Sequence, residues 1–299
     1  DLTINSTNIT NKNFTWNTSI TLSHNKNSVK KLTGEDVQLW EANFGYSQNT
    51  HIIGVNQPLG QMYGYVTDGL YQVSDFDYDA ATKTYTLKDG VPYAGEKGNV
   101  KPGMWKFKNI DGSKDNKITE ADKTVIGNAY PKIYGGINNT FTYKDFDLSI
   151  FLTYSIGNDV FNATKLTNTK TALQNKNVLA VADSKHRWVL VNKAGDLITD
   201  PQEMADINKG KTVAAIYDNE AGDTYIHSWA VEDGSFLKLS NITLGYTFPK
   251  KMIRKVGLSK LRLYATGSNL LTWTKYSGFD PEVSTMGNGL TPGVDFGAY

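Results

Sequence analysis

The sequence predicts an all-β fold whose antiparallel strands form part of the wall of a transmembrane β-barrel. Three observations support this prediction. Apolar and polar residues alternate with a period of two, the clearest strand (146–156) is 11 residues long, and the connections between strands alternate between short and long. A period of two is typical of a strand with two different faces, and about 9–11 residues is the length that a tilted strand needs to cross a bilayer.

The clearest strand belongs to a predicted hairpin. One of its faces carries Phe146, Leu148, Ile150, Leu152, Tyr154 and Ile156. The other face carries Asp147, Ser149, Thr153, Ser155 and Gly157, interrupted by Phe151. The preceding strand repeats the pattern, with Ile137, Phe141 and Tyr143 on one face and Asn138, Thr140 and Thr142 on the other. We expect the apolar face to contact outer-membrane lipid, the polar face to line the barrel interior, and the link at Lys144 and Asp145 to lie on the periplasmic rim.

The same alternation recurs along the chain. With the hairpin it predicts six strands, at about 2–8, 13–23, 133–143, 146–156, 236–248 and 261–273. Phe236 to Ser240 is out of phase with the residues that follow, so we expect a β-bulge near Ser240 and Asn241. The smallest bacterial membrane barrels have about eight strands. We therefore expect a piece of a larger barrel that begins and ends in mid-domain and lacks its final strand.

The connections fall into two classes that alternate in order. The short links join paired strands, whereas the long ones cover 25–132, 157–235 and 273–299. Short periplasmic turns and long external loops are typical of outer-membrane barrels, so we expect the three long connections to be extracellular loops. Aromatic residues gather at strand ends and predict interfacial girdles: Phe14, Trp16, Tyr143, Phe146, Tyr154, Tyr246, Phe248, Trp273 and Tyr276.

The alternation also fits a soluble β-sandwich, whose apolar face packs inward. A secreted, calcium-stabilised, glycan-binding sandwich is therefore the alternative. Composition and motifs bear on other classes of protein. The net charge of +1 gives no bulk attraction to nucleic acid, and the absence of cysteine excludes disulfides and thiol chemistry. Neither a Ser/His/Asp pattern nor a phosphate loop is present, and Asp233, Asp280, Glu282 and Asp295 show no geometry of a glycosidase pair. We do not expect an enzyme.

Several segments carry a more specific resemblance. They are GYVTDGLYQ at 64–72, IGNAYP at 126–131 followed by Gly135 and Gly136, DGSFLKLSNITLGYTFP at 233–249, KLRLYATGSNLL at 260–271 and GFDPE at 278–282. In this order and spacing they resemble the C-terminal barrel portion of the SusC/RagA-like TonB-linked outer-membrane receptors of Bacteroidetes. The resemblance spans nearly the whole chain.

The resemblance implies a barrel of about 22 strands in the bacterial outer membrane. It further implies energy-dependent import of glycans or peptides, together with a SusD-like surface lipoprotein that covers the barrel. The TonB complex would be contacted through an N-terminal part, which has no match here. This chain would then supply about the last third of the barrel.

One segment has the spacing of a calcium-binding loop. Its ligand positions fall on Asp111, Ser113, Asp115, the Lys117 carbonyl, Thr119 and Asp122. Ile118 fits the apolar anchor of such loops. Asn116 replaces the usual glycine but tolerates a left-handed backbone, and Asp122 replaces the usual glutamate. A solvated, metal-free turn is the alternative. We expect a structural Ca²⁺ ion that stiffens a segment with little core of its own.

Two further features are weaker. Trp188, beside His186 and Arg187, is either a platform on which a sugar stacks or, as we favour, a packing anchor within its loop. The basic run from Lys250 to Lys255 predicts an amphipathic periplasmic turn.

Overall fold

The computed structural model describes residues 1–42, 48–169, 177–216, 225–283 and 289–297. The strands, in chain order, are β1 (Leu2–Thr10), β2 (Phe14–Ser23), β3 (Val37–Glu41), β4 (Asn49–Gly54), β5 (Gln61–Tyr65), β6 (Thr67–Leu70), β7 (Phe76–Asp79), β8 (Thr84–Leu87), β9 (Tyr93–Ala94), β10 (Trp105–Phe107), β11 (Lys117–Ile118), β12 (Lys123–Asn128), β13 (Ile133–Tyr143), β14 (Phe146–Ile156), β15 (Asp159–Asn162), β16 (Val231–Asp233), β17 (Phe236–Thr247), β18 (Arg262–Thr274) and β19 (Val294–Asp295).

The helices are short. They are α1 (Ala163–Thr167), α2 (Pro201–Ile207) and α3 (Lys250–Ile253), with 3₁₀ turns at Val73–Asp75, Lys97–Asn99, Glu120–Asp122, Ala180–Ala182, Ser228–Ala230 and Arg254–Val256. Among the residues given above, no helix has both the length and the apolar character needed to cross a membrane. The predicted all-β class is confirmed.

The chain divides into two compact units. The first contains Asp1–Ser28, Ala129–Val160 and Asp233–Val283, and the second contains Val29–Asn128, Phe161–Glu232 and Ser284–Tyr299. The second unit is drawn largely from the predicted loops 25–132, 157–235 and 273–299. That these loops lie outside the cell stays a prediction.

The first unit contains a six-stranded antiparallel sheet in the order β1-β2-β13-β14-β17-β18. Strands that follow one another along the chain within this unit are also neighbours in the sheet. The predicted hairpin is confirmed, with pairing from Ile133 with Ile156 to Tyr143 with Phe146 and a turn at Lys144, whose φ of 54° suits a two-residue turn. The predicted bulge is also present, because the register of β17 shifts between Leu239 and Asn241.

Strand pairing sorts the side chains of this sheet onto two faces. One row runs across all six strands through Ile4, Ile20, Ile137, Leu152, Leu239 and Leu271. The next row, on the opposite face, runs through Thr3, Thr21, Gly136, Thr153, Lys238 and Thr272. Alternation within each strand therefore becomes an apolar face and a polar face of the whole sheet.

The second unit is built from smaller sheets, including β12-β5-β4-β3, and it has a core of its own. Its buried clusters are Leu70, Trp188, Ile198, Met204, Ala214 and Ala215; Tyr71, Phe76, Leu87 and Val100; and Tyr65, Phe107 and Ile118. The expectation that the segment around Asp111–Asp122 has little core is therefore wrong. The core residues of the second unit are too irregularly spaced in sequence to produce a period, and only tertiary contacts bring them together.

Candidate functional site

Among the described residues, large side chains on the apolar face of the six-stranded sheet are exposed. More than half of the surface of Leu244, Leu263, Leu271 and Trp273 is exposed in the folded chain, at 53%, 61%, 53% and 51%. In a β-sandwich such residues pack against a second sheet. Exposed apolar area on this scale marks a surface that contacts a protein partner or a membrane, and a regular apolar face on strands of about eleven residues fits lipid contact.

Aromatic rings line the end of the sheet that holds the Lys144 turn. The rings of Trp16 and Phe141 stack at 5.6 Å, and those of Phe146 and Tyr246 lie 4.7 Å apart. Amphipathic aromatic residues are enriched where a membrane meets water; the clustering at strand ends is present, and its role as an interfacial girdle stays a prediction. Tyr276 departs from that prediction, because it is buried.

The polar face carries an ion pair that crosses a strand. Asp147 on β14 and Arg262 on β18 meet over Gly245 of the intervening β17, and Arg262 Nε donates to Asp147 Oδ1 at 3.1 Å. A Cβ atom at Gly245 would lie 2.4 Å from Arg262 Nη2 and 2.6 Å from the Asp147 carboxylate oxygens. The glycine is therefore what allows two charges on non-adjacent strands to bond.

A second charged group joins the polar face to the segment after β18. Lys238 is 6% exposed, and its Nζ donates to Asp280 Oδ2 at 3.2 Å and also to Glu282. The sequence had offered Asp280 and Glu282 only as unassigned loop carboxylates. A lysine on the polar face of a strand was the signal that could have pointed to them, because a buried cation requires an anionic partner.

The predicted calcium loop is organised around Asp122. This side chain is 0% exposed. Its Oδ1 accepts from the backbone N–H groups of Ile110 at 2.8 Å and Asp111 at 3.2 Å, and its Oδ2 accepts from that of Thr119 at 2.8 Å. Thr119 and Asp122 also form a capping box. Asp122 therefore closes the loop through three backbone donors.

Two other predicted ligands accept hydrogen bonds from backbone N–H groups two residues further along the chain. Asp111 Oδ1 accepts from Ser113 N at 2.7 Å, and Asp115 Oδ1 accepts from Lys117 N at 3.1 Å. The Lys117 N–H, followed by the Ser113 hydroxyl, lowers the pKa of Asp115. Asn116 has the left-handed backbone expected at its position, with a φ of 56°.

Two further observations bear on this loop. Ile118 is buried against Tyr65 and Phe107, as predicted for an anchor. Within the described ranges, no group of three or more His, Asp or Glu side chains is arranged to hold a metal ion. The oxygens of Asp111, Ser113, Asp115 and Thr119 and the Lys117 carbonyl are the ones that a hard cation could take, and calcium at this loop stays a prediction.

Among the buried rings of the second unit, Trp188 and His51 bear on the sequence analysis. Trp188 is 1% exposed in the cluster with Leu70 and Met204, which confirms it as a packing anchor. His51 is also fully buried, with Nδ1 2.8 Å from the Thr50 hydroxyl and Nε2 3.0 Å from the Pro292 carbonyl. Burial lowers the pKa of His51 to about 4, although the Pro292 hydrogen bond opposes this shift. Nothing in the sequence around His51 predicted this environment.

Comparison with known proteins supports the reading of the sheet. No family model matches the chain. It is 31% identical over 306 residues to TonB-dependent receptor P3 of Formosa agariphila, covering 100% of this chain and 27% of the relative. It is 30% identical to TonB-dependent receptor P39 of the same organism, covering 96% of this chain and 27% of that relative. It is 26% identical to TonB-dependent receptor SusC of Bacteroides thetaiotaomicron, covering 100% and 24%.

The fold is also similar to solved structures. The structure of the RagAB peptide transporter matches with a TM-score of 0.62 at 18% identity, covering 98% of this chain and 26% of that one. The RagAB peptide importer in the closed-closed state matches with a TM-score of 0.58 at 19% identity, covering 98% and 27%. This chain thus spans about a quarter of the length of the proteins that it matches.

Proposed function

This chain is homologous over its whole length to TonB-dependent receptors, SusC among them, and we propose that it forms part of the wall of an outer-membrane β-barrel that imports nutrients. The observation that carries the proposal is the six-stranded sheet with one exposed apolar face and one polar face. In a barrel of about 22 strands, the apolar face contacts lipid and the polar face lines the interior. The turn at Lys144 lies on the periplasmic rim, and the long connections 25–132, 157–235 and 273–299 are extracellular loops.

We further propose that import uses TonB and a SusD-like surface lipoprotein, as in the receptors that the sequence resembles. The substrate class stays open between glycans and peptides. The name of the RagAB transporter assigns peptides to that protein alone, and a likeness at 18% identity supports only the fold. The proposal includes no catalytic role, because the relatives are named as receptors and the similar structures as transporters.

Membrane fractionation of the full-length protein tests this proposal. We expect the protein to sediment with outer membranes, to require detergent for extraction and to co-purify with a lipid-anchored lid protein. Uptake of its nutrient should stop when TonB is deleted. A protein that purifies as a monomer from the aqueous fraction would support the β-sandwich alternative, in which the apolar face of the sheet would have to be covered.

A further inference from the structure

Three turns lie side by side at the end of the sheet that holds Lys144. They are residues 11–13, 144–145 and 249–260. Backbone hydrogen bonds connect them through the strand ends, from Lys144 N to the Asn13 carbonyl at 2.9 Å and from Thr247 N to the Asp145 carbonyl at 2.8 Å. The three turns therefore form one continuous edge, which we call the basic rim.

The charges of the basic rim are almost all of one sign. Its cationic side chains, all exposed, are Lys12, Lys144, Lys250, Lys251, Arg254, Lys255 and Lys260. Its one carboxylate is Asp145. Within the part of the chain that the structure describes, none of these seven cations forms an ion pair. The whole chain has a net charge of only +1, so the rim is a local excess of the kind that attracts a partner of opposite charge.

The third turn is longer than a connection between strands requires. Two residues suffice to join antiparallel strands, as they do at Lys144. Between β17 and β18 the last bond of the sheet runs from Phe248 N to the Leu261 carbonyl at 2.9 Å, and the twelve residues 249–260 extend beyond it. The additional residues therefore build a surface beyond the strand ends.

This surface has a fixed shape. Helix α3 continues directly into the 3₁₀ turn Arg254–Val256, and Gly257 ends the helical segment with a φ of 74°. Ile253 is buried, whereas Met252 and Val256 are 59% and 70% exposed. Apolar side chains thus lie on the surface beside the cations. A preformed surface of this kind loses little conformational entropy when it binds.

We propose that the basic rim is a docking surface for an acidic segment of a periplasmic protein, in which apolar residues are interspersed among the carboxylates. The carboxylates contact the cations, and the apolar side chains pack on Met252 and Val256. Lipid headgroups would need only the cations of short turns and would leave the twelve-residue extension without a role. This inference rests on the proposed function, because the rim faces the periplasm only if the sheet is a barrel wall.

Peptide binding to the full-length protein in nanodiscs tests the proposal, since both faces of a nanodisc are open to solution. Two fluorescent peptides carry the same number of glutamates and differ at two positions, which are leucine in one peptide and serine in the other. We expect both to bind, the leucine peptide roughly fivefold more tightly. The affinity of both should fall as the salt concentration rises.

Variants locate the binding surface. The combined substitutions Lys250→Gln, Lys251→Gln, Arg254→Gln and Lys255→Gln should weaken binding of either peptide by about tenfold or more. Met252→Ser together with Val256→Ser should remove only the preference for leucine. The matched control neutralises four exposed lysines of the second unit and should bind like the wild type; these are Lys108, Lys185, Lys193 and Lys209.

Equal affinity of the wild type and the fourfold rim variant would overturn the docking surface, and so would equal affinity for the two peptides. Nanodiscs that contain phosphatidylglycerol decide against the lipid alternative if peptide binding persists in them. Binding that disappears there would show that headgroups occupy the cations, which overturns the protein partner. These outcomes leave the barrel in place. A full-length protein that does not enter nanodiscs would instead remove the barrel wall, and the rim with it.

Discussion

At the scale of single residues, His51 makes the stability of the second unit depend on pH. Its pKa is lowered from 6.5 to about 4 by burial, so the unfolded chain binds a proton at pH values where the folded chain does not. The contribution to stability is complete above about pH 6.5 and is lost as the pH falls toward 4. The buried ring is neutral at pH 7 and is held by Thr50 and Pro292.

We therefore expect the free energy of opening of β4 to fall by about 2 kcal/mol between pH 7.5 and pH 5. Hydrogen exchange of the β4 amides, corrected for the intrinsic effect of pH on exchange, measures this quantity. The His51→Gln variant keeps a side chain that can hydrogen-bond but does not titrate, and it should show a flat profile. An equal loss in both proteins would show that another group is responsible.

Asp122 gives a second prediction at this scale. It accepts three backbone N–H groups while fully buried, and in Asp122→Asn an NH₂ group replaces one of its two accepting oxygens. We expect this variant to lose about 1–3 kcal/mol of local stability. Limited proteolysis within 105–130 should be faster with or without calcium, whereas Lys114→Gln, at an exposed position of the same loop, should cleave like the wild type.

The predicted calcium ion has a different signature in the same assay. If Ca²⁺ binds, a chelator should accelerate cleavage of 105–130 in the wild type, and Asp111→Asn or Asp115→Asn should reproduce that acceleration without a chelator. Equal cleavage with calcium and with chelator would contradict the calcium site but not the role of Asp122.

At the scale of secondary-structure elements, β14 gives the sharpest test of orientation. Ile150 and Ser149 are adjacent near its middle and lie on opposite faces of the sheet. An arginine on the lipid face near the bilayer midplane costs about 2–4 kcal/mol, whereas substitutions on the interior face are tolerated. We expect Ile150→Arg to reduce the amount of assembled barrel in outer membranes far more than Ser149→Arg. A larger loss with Ser149→Arg than with Ile150→Arg would mean that the polar face contacts lipid and the apolar face lines the interior.

Packing across β17 gives the second test at this scale. Gly245→Ala places a Cβ atom within 2.4 Å of Arg262 Nη2, and we expect overpacking to cost about 1–3 kcal/mol. Urea unfolding of the reconstituted barrel measures the change. In an Arg262→Ala background the same substitution should cost less, because one of the two clashing groups is gone and the Asp147 carboxylate is no longer held over Gly245 by its ion pair. A cost that is unchanged in that background would mean that backbone conformation, rather than the ion pair, requires glycine.

At the scale of the whole molecule, the long connections differ most from the sequence-based expectation. Their bounds at 25–132 and 157–235 were readable because strand periodicity stops there. The structure inside these connections could not be predicted from the sequence. The second unit is assembled from short strands of two to six residues, and such strands carry too few alternations to be recognised. Among its described residues the unit nevertheless buries three apolar clusters, and these clusters hold together short strands from distant parts of the loops.

The sequence by itself determined the bounds of the six strands of the large sheet to within two residues, the turn at Lys144, the bulge near Asn241 and the division of this sheet into two faces. These features depend on neighbouring residues and on a period of two, so they can be read locally. Tertiary structure decided the contacts that depend on distant parts of the chain: Lys238 and Asp280 are 42 residues apart, Asp147 and Arg262 are 115 apart, and His51 and Pro292 are 241 apart. Such pairs leave no local pattern, because their energy depends on proximity that only the folded chain creates.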